Sequence, residues 1–291
     1  MPDTKRKQKS EVSIIGSGRL GTTLAVALDA SGYEIQSVVA RRVQRARKAA
    51  GFLPAGIQVL AAKQLHLLRP ADVLLITVPD DQIAAVAAEL SKLAVNPKRR
   101  PTALHTSGAL SAEVLTPLRK NGWGTGSMHP LISISDNDDT LAGAFWSVEG
   151  DAPALRVAKA IVRDLGGKSF SIRSKDKPLY HAAAVMASGN VVALFDVALE
   201  MLGECGIDRK TARSILAPLI ASAVRKLETK DPAKALTGTF SRGDLETVKR
   251  HLAALNGNKL ADALQLYGLL GRRSLTLTKH YPQITEFLKS V

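Results

Sequence analysis

The first half of the chain alternates short β-branched runs with stretches of helix formers, and the second half does not. Glu11-Val12-Ser13-Ile14-Ile15 and Glu34-Ile35-Gln36-Ser37-Val38-Val39-Ala40 read as strands. Residues 71–78 are a near-continuous apolar run of the kind that parallel sheets bury on both faces. Further strands are expected at 57–60, 102–105, 144–149 and 168–172, with a helix over 153–165 between the last two. Asp80 or Asp81 is expected to cap the helix after the run at 71–78, and Ser111 one that reaches about Lys120. From about Lys175 onward only helical periodicity remains, broken near 203–207, 236–241 and 256–258. Leu245, Val248, Leu252 and Leu255 recur there at helical spacing. The pattern predicts an α/β domain with a mostly parallel sheet over 11–174, followed by an all-α domain over 175–291.

One turn breaks the strand–helix alternation in an informative way. Gly16-Ser17-Gly18-Arg19-Leu20-Gly21 follows the first strand and opens the first helix, a G-x-G-x-x-G run in the context of a Rossmann-type dinucleotide site. Gly16 suits the tight turn, Gly18 lets backbone approach a pyrophosphate, and Gly21 lets the helix pack closely. The helix N-terminus then presents unpaired N–H groups to the phosphates. The second strand ends at Arg41-Arg42, where a ribose-reading side chain belongs. Arg45, Arg47 and Lys48 follow on the next turn. An NAD site usually places an acid there, whereas guanidinium groups can fork onto a 2′-phosphate, so NADP is expected. Val78 and Pro79 close a strand where the nicotinamide side of such a site is built.

Composition adjusts this picture little. Of 291 residues, 45% are hydrophobic and 23% charged, as in ordinary globular domains. A single cysteine excludes an internal disulfide and a cysteine-rich zinc site, and suits a reducing cytoplasm. Residues 1–10 (MPDTKRKQKS) read as a frayed basic tail and 97–101 as a basic solvated loop. A formal charge of +14 brings nucleic acid into consideration, but aromatics are 4% and no DNA- or RNA-binding motif occurs. A phosphorylated cofactor and a small anionic substrate fit the charge better. The most apolar stretch, 181–202, contains His181, Asn190, Asp196 and Glu200 and is interrupted by Gly189. It reads as a buried bundle helix, not a membrane span.

Hydride transfer needs a group that gives or takes a proton near the strand ends. His105, His129 and His181 fall in suitable segments, and none has metal-ligand spacing, so no metal is expected. Ser107 lacks the G-x-S-x-G context of a hydrolase nucleophile and reads as a hydroxyl for substrate or nicotinamide amide.

These segments resemble a known family as a set. The glycine turn, Val78–Ile83, His105–Leu110, Ser127–Leu131, Tyr180–Ala184, Ala235–Gly238 and Arg242–Asp244 occur in order. Together they resemble bacterial Rossmann-like proteins with a helical C-terminal domain of unknown function. That group is placed with deazaflavin-dependent NADP oxidoreductases and the 6-phosphogluconate dehydrogenase-like superfamily. The resemblance implies an NADP(H)-dependent reductase acting on a small, carboxylate-bearing C=O or C=N compound, with reduced deazaflavin as a possible co-substrate. It further implies a homodimer formed through the helical domain, and Arg242-Gly243-Asp244 as a loop reaching the site from a partner, where Asp244 otherwise simply caps a helix. Related β-hydroxyacid dehydrogenases carry a catalytic Lys with an Asn on the next turn. Here the residue four beyond Lys177 is His181, which becomes the preferred proton donor, with Ser107, His129 and Asn190 beside it. The alternative is an NADP(H)-binding sensor without catalysis.

Overall fold

The computed structural model describes residues 9–93, 100–134, 140–258, 260–278 and 281–289. Most of the basic tail and of the basic loop lies outside them. The chain divides into two compact units, residues 1–185 and 186–291.

The first unit is built on β1 (Glu11–Ile15), α1 (Arg19–Ala30), β2 (Glu34–Ala40), α2 (Val43–Ala50) and β3 (Gln58–Ala61). It continues with β4 (Val73–Ile76), α3 (Asp80–Leu90), β5 (Thr102–His105), α4 (Thr116–Lys120) and β6 (Gly124–Pro130). β7 (Phe145–Gly150), α5 (Ala152–Asp164) and β8 (Lys168–Ser171) complete the sheet, and α6 (Lys177–Ala187) leads out of the unit. Among the described residues, eight strands form one sheet in the order β3-β2-β1-β4-β5-β6-β7-β8. All pairs are parallel except β6 with β7. The strand order reverses direction beside β1, which opens a crevice between the carboxyl ends of β1 and β4.

Apolar residues on both faces of the strands explain the two-sided cover. Ile14, Leu75 and Leu104 pack with Leu24 and Leu28 of α1 and Ile161 of α5. Ile15, Ile76 and Ala103 pack with Ile83 and Leu90 of α3 and Leu118 of α4. Two local expectations change. Pro79 is the N-cap residue of α3, and Asp80 reaches across to another loop instead of capping. Ser111 makes no side-chain cap, and the expected helix to Lys120 is a 3₁₀ turn over Ala112–Leu115 followed by α4.

The second unit holds α7 (Gly189–Glu204), α8 (Arg209–Leu227), α9 (Pro232–Ala235) and α10 (Thr239–Arg242). α11 (Leu245–Gly257), α12 (Ala261–Leu275) and α13 (Pro282–Lys289) follow. Val248 and Leu252 of α11 meet Leu275, Ile284 and Leu288 in its core. Asp244 caps α11 by accepting from the Thr247 amide.

The apolar stretch at 181–202 departs from its expected form. It is two helices, α6 and α7, broken at Ser188, and it is largely exposed instead of buried. Among the described residues, Ser174–Glu204 is long and apolar enough to cross a membrane by length and composition. The break, the buried Lys177 at its start, and Asp196 and Glu200 within it oppose that reading.

Candidate active site

The glycine turn is wedged between two strands. The Gly16 amide donates to Val39, the Thr77 amide to Ile15, and the Thr77 hydroxyl to the Gly16 carbonyl at 2.6 Å. Gly16 has φ +116°, and a Cβ there would stand 2.6 Å from the Thr77 backbone. A Cβ on Gly21 would meet the Gly16 carbonyl, whereas at Gly18 nothing lies within 4 Å. The open side of the turn is therefore at Gly18, the N-cap residue of α1, which has no side-chain cap. The Ser17 hydroxyl is buried there without a hydrogen-bond partner. A phosphate would satisfy both that orphaned hydroxyl and the first-turn amides.

A cleft of about 360 Å³ runs from this turn across the ends of β1, β2 and β4. Gly16, Ser17, Gly18, Arg41, Arg42, Val78 and Pro79 line it, and Arg45 joins them. Arg19, Leu20 and Gly21 belong to the first turn of α1 instead of the lining. Arg41 and Arg42 are exposed, so their guanidinium groups remain available to an anion. The donor set fits a dinucleotide with a phosphorylated ribose.

Next to Pro79, which lines the cleft, Asp80 links to a second loop. Asp80 accepts from the Ser107 hydroxyl at 2.7 Å, and that same oxygen accepts from the Ala109 and Leu110 amides. The Ser107 hydroxyl is thus engaged in shaping the turn, a different use from holding a ligand directly. His105 is buried, with Nδ1 accepting from the Ser107 amide and Nε2 donating to the Ser111 carbonyl. Burial, and then the Lys177 charge, pushes its pKa down to about 3, so it is a neutral structural residue.

α6 brings the remaining groups to this turn. His181 and His129 meet edge to face with ring centroids 5.5 Å apart, and His129 Nδ1 lies 2.8 Å from the Tyr180 hydroxyl. Burial, followed by His181 and Lys177, lowers the His129 pKa to about 4. His181 Nδ1 is buried without a partner. It stands over Gly108, where a Cβ would come within 2.4 Å of it and 3.0 Å of His129 Nε2. Only glycine leaves room for this pair.

Lys177, one helical turn before His181, is fully buried. Its Nζ donates to the Ser107 carbonyl at 3.0 Å and the Ser127 hydroxyl at 2.8 Å. Burial lowers its pKa to about 8 against the opposing pull of Glu149 and Asp80. Ser127 continues to the buried Glu149 carboxylate at 3.4 Å, which also accepts from the Ala112 amide and the Ser174 hydroxyl. In the sequence Lys177 lacks the Asn that follows the catalytic lysine of the related dehydrogenases, Asp80 reads only as a helix cap, and Glu149 carries no assigned role. The lysine four residues before a candidate histidine was the available signal. Asn190 lies in the other unit, exposed on α7, with its amide directed to the Met186 sulfur. The break at Ser188 removes it from the helix that carries His181.

The comparisons agree with this architecture. A family model described as a Rossmann-like domain matches residues 2–130, and one described as a domain of unknown function, DUF2520, matches residues 144–274. The chain therefore carries the domain pair that its motifs resemble, a Rossmann-like domain followed by the helical domain of unknown function. No curated protein matches by sequence. The fold is shared with BF3122 from Bacteroides fragilis, assigned as an NADP oxidoreductase, at 22% identity and TM-score 0.74, covering 92% of this chain and 99% of that one. TM1727 from Thermotoga maritima is 24% identical with TM-score 0.70, covering 96% and 99%. A reductive aminase from Aspergillus terreus, solved with NADPH and ethyl-5-oxohexanoate, is 16% identical with TM-score 0.66, covering 97% and 99%.

Proposed function

We propose that this chain is an NADP(H)-dependent oxidoreductase that reduces a small C=O or C=N compound, with His181 as the proton donor. The observation that carries the reading is the unpartnered His181 Nδ1 above Gly108, on the loop that Asp80 ties to the cofactor cleft. The arginine-rich end of the cleft supports a 2′-phosphate, and the three relatives include two described with NADP or NADPH. Reduced deazaflavin has no support among them and is left out.

In this reading NADPH supplies the hydride when bound. Gly18 and Ser17 would hold the phosphates and Arg41 and Arg42 the ribose end, and the substrate is taken to bind beside the Ser107–Gly108 turn, within reach of His181. His181 then gives a proton to the oxygen or nitrogen on which negative charge develops. The excess of basic residues favours a substrate carrying a carboxylate. The same reading takes the active form to be a homodimer through the helical domain.

The test is NADPH oxidation across a panel of keto acids and cyclic imines. Replacing His181→Ala is expected to remove turnover, by a factor of roughly 10²–10⁴, and to leave NADPH affinity intact. Unchanged turnover would overturn the assignment of the acid. Tight NADPH binding with no member of the panel reduced would favour the sensor alternative.

A further inference from the structure

Lys177 and Glu149 are buried ionisable groups that the proposed chemistry does not use. A lysine loses its hydration on complete burial, so its charge must be met by partners inside the fold. Here the ammonium binds two groups from two different segments, the loop after β5 and β6 itself. It binds the carbonyl of Ser107, beyond β5, and the hydroxyl of Ser127, within β6. Ser127 faces Glu149 of β7, so the positive charge is balanced across the sheet, while Asp80 engages the other side of Ser107.

The placement on α6 gives this clamp its consequence. Residues four apart share one helix face, so Lys177 and His181 descend from α6 onto the same loop. Lys177 fixes the carbonyl of Ser107, and His181 stands over the next residue, Gly108. The helix is thereby joined to the loop one turn before the histidine that would deliver the proton. The ammonium has no exposed surface and Lys177 is not among the residues that line the cleft, so its role is to hold the turn and not to touch substrate.

We propose that Lys177 is a positioning residue: its buried ammonium locks the Ser107–Gly108 turn at a fixed distance from His181. The inference rests on the reductase reading above and deepens its site. A misplacement of about 1 Å can cost on the order of 10²-fold in rate, so loss of the clamp falls on kcat.

The test uses the full chain with Lys177→Met, which keeps the side-chain length and removes the charge. Expected is a fall in kcat of about 10²-fold on the best panel substrate, with KM changed less than about threefold and NADPH affinity unchanged. Amide hydrogen exchange over Ser107–Leu110 is expected to accelerate at least about tenfold, while exchange in β1 and α1 stays as in the parent. If Lys177→Met does not fold, Ser127→Ala decides, because it removes one of the two anchors without leaving a bare charge. It should shift kcat and exchange in the same direction by a smaller factor. A folded Lys177→Met chain with parental kcat and parental exchange at the turn overturns the proposal, as does Ser127→Ala without either change. If the parent chain reduces nothing in the panel, the reductase reading fails, and exchange at the turn still decides whether Lys177 is the clamp.

Discussion

Arg41 and Arg42 directly follow β2 and carry exposed guanidinium groups on the rim of the cleft. At that rim an acid would accept from a ribose hydroxyl and repel a 2′-phosphate, whereas arginine does the reverse. Each charge-assisted bond is worth about 1.5–3 kcal/mol. The double replacement Arg41→Ala with Arg42→Ala should therefore weaken NADPH binding by about 10²-fold and leave NADH binding within about twofold. Titration calorimetry with both nucleotides measures this, and equal losses for the two would refute a 2′-phosphate contact. The unmatched Ser17 hydroxyl and the vacant space at Gly18 are the other residue-scale facts, and they need no side chain beyond those already in the glycine turn.

At the scale of elements, the carboxyl ends of β5 and β6 carry histidines held neutral. His105 titrates near 3 and His129 near 4, both lowered first by burial, while an unfolded imidazole titrates near 6.5. Below about pH 6.5 the unfolded chain takes up protons that the folded chain refuses. Stability is then complete above that pH and falls as pH drops toward 4, by a few kcal/mol, since each pKa unit is worth about 1.4 kcal/mol. Thermal melts between pH 7.5 and 4.5 should show a falling Tm, and His105→Asn should flatten the slope. A Tm indifferent to pH in that window would mean that the two rings are hydrated. The element boundaries themselves were legible where a β-branched run met a turn, as at Glu11–Ile15 and Glu34–Ala40. They were less legible where polar residues had two possible uses: Asp80 looks like a cap in sequence and serves Ser107 in space.

At the scale of the whole molecule, the helical unit keeps a small core between α11, α12 and α13. Val192 and Leu194 of α7 and Ile215, Leu219, Val224 and Leu227 of α8 remain exposed. Apolar faces of this extent mark an interaction site more often than bare surface. A second copy of the chain is the occupant proposed here, in keeping with the implied homodimer. Light scattering should give twice the chain mass, and Val192→Glu combined with Leu219→Glu should give a single chain with the NADPH cleft intact. A parent chain that stays monomeric at high concentration would refute it.

Most strands of the first unit, the glycine turn and the basic end of the second strand were readable from residues alone, because each is a local pattern with a local cause; β6 (Gly124–Pro130), rich in glycine, was not among the expected strands. β-Branched alternation makes a strand, glycine permits the turn, and a guanidinium group attracts phosphate wherever it stands. What joins His181, His129, Gly108 and Lys177 could not be read in that way. Their contacts span tens of residues, and whether a hydroxyl or carboxylate binds a ligand or a neighbouring loop depends on what folding brings beside it. Tertiary structure alone decided that Ser107 is spent on its own turn, that Asn190 leaves the helix of His181, and that Lys177 is buried as an anchor. Burial and partner choice are set by the packed sheet and helices, not by the residue and its neighbours in the chain.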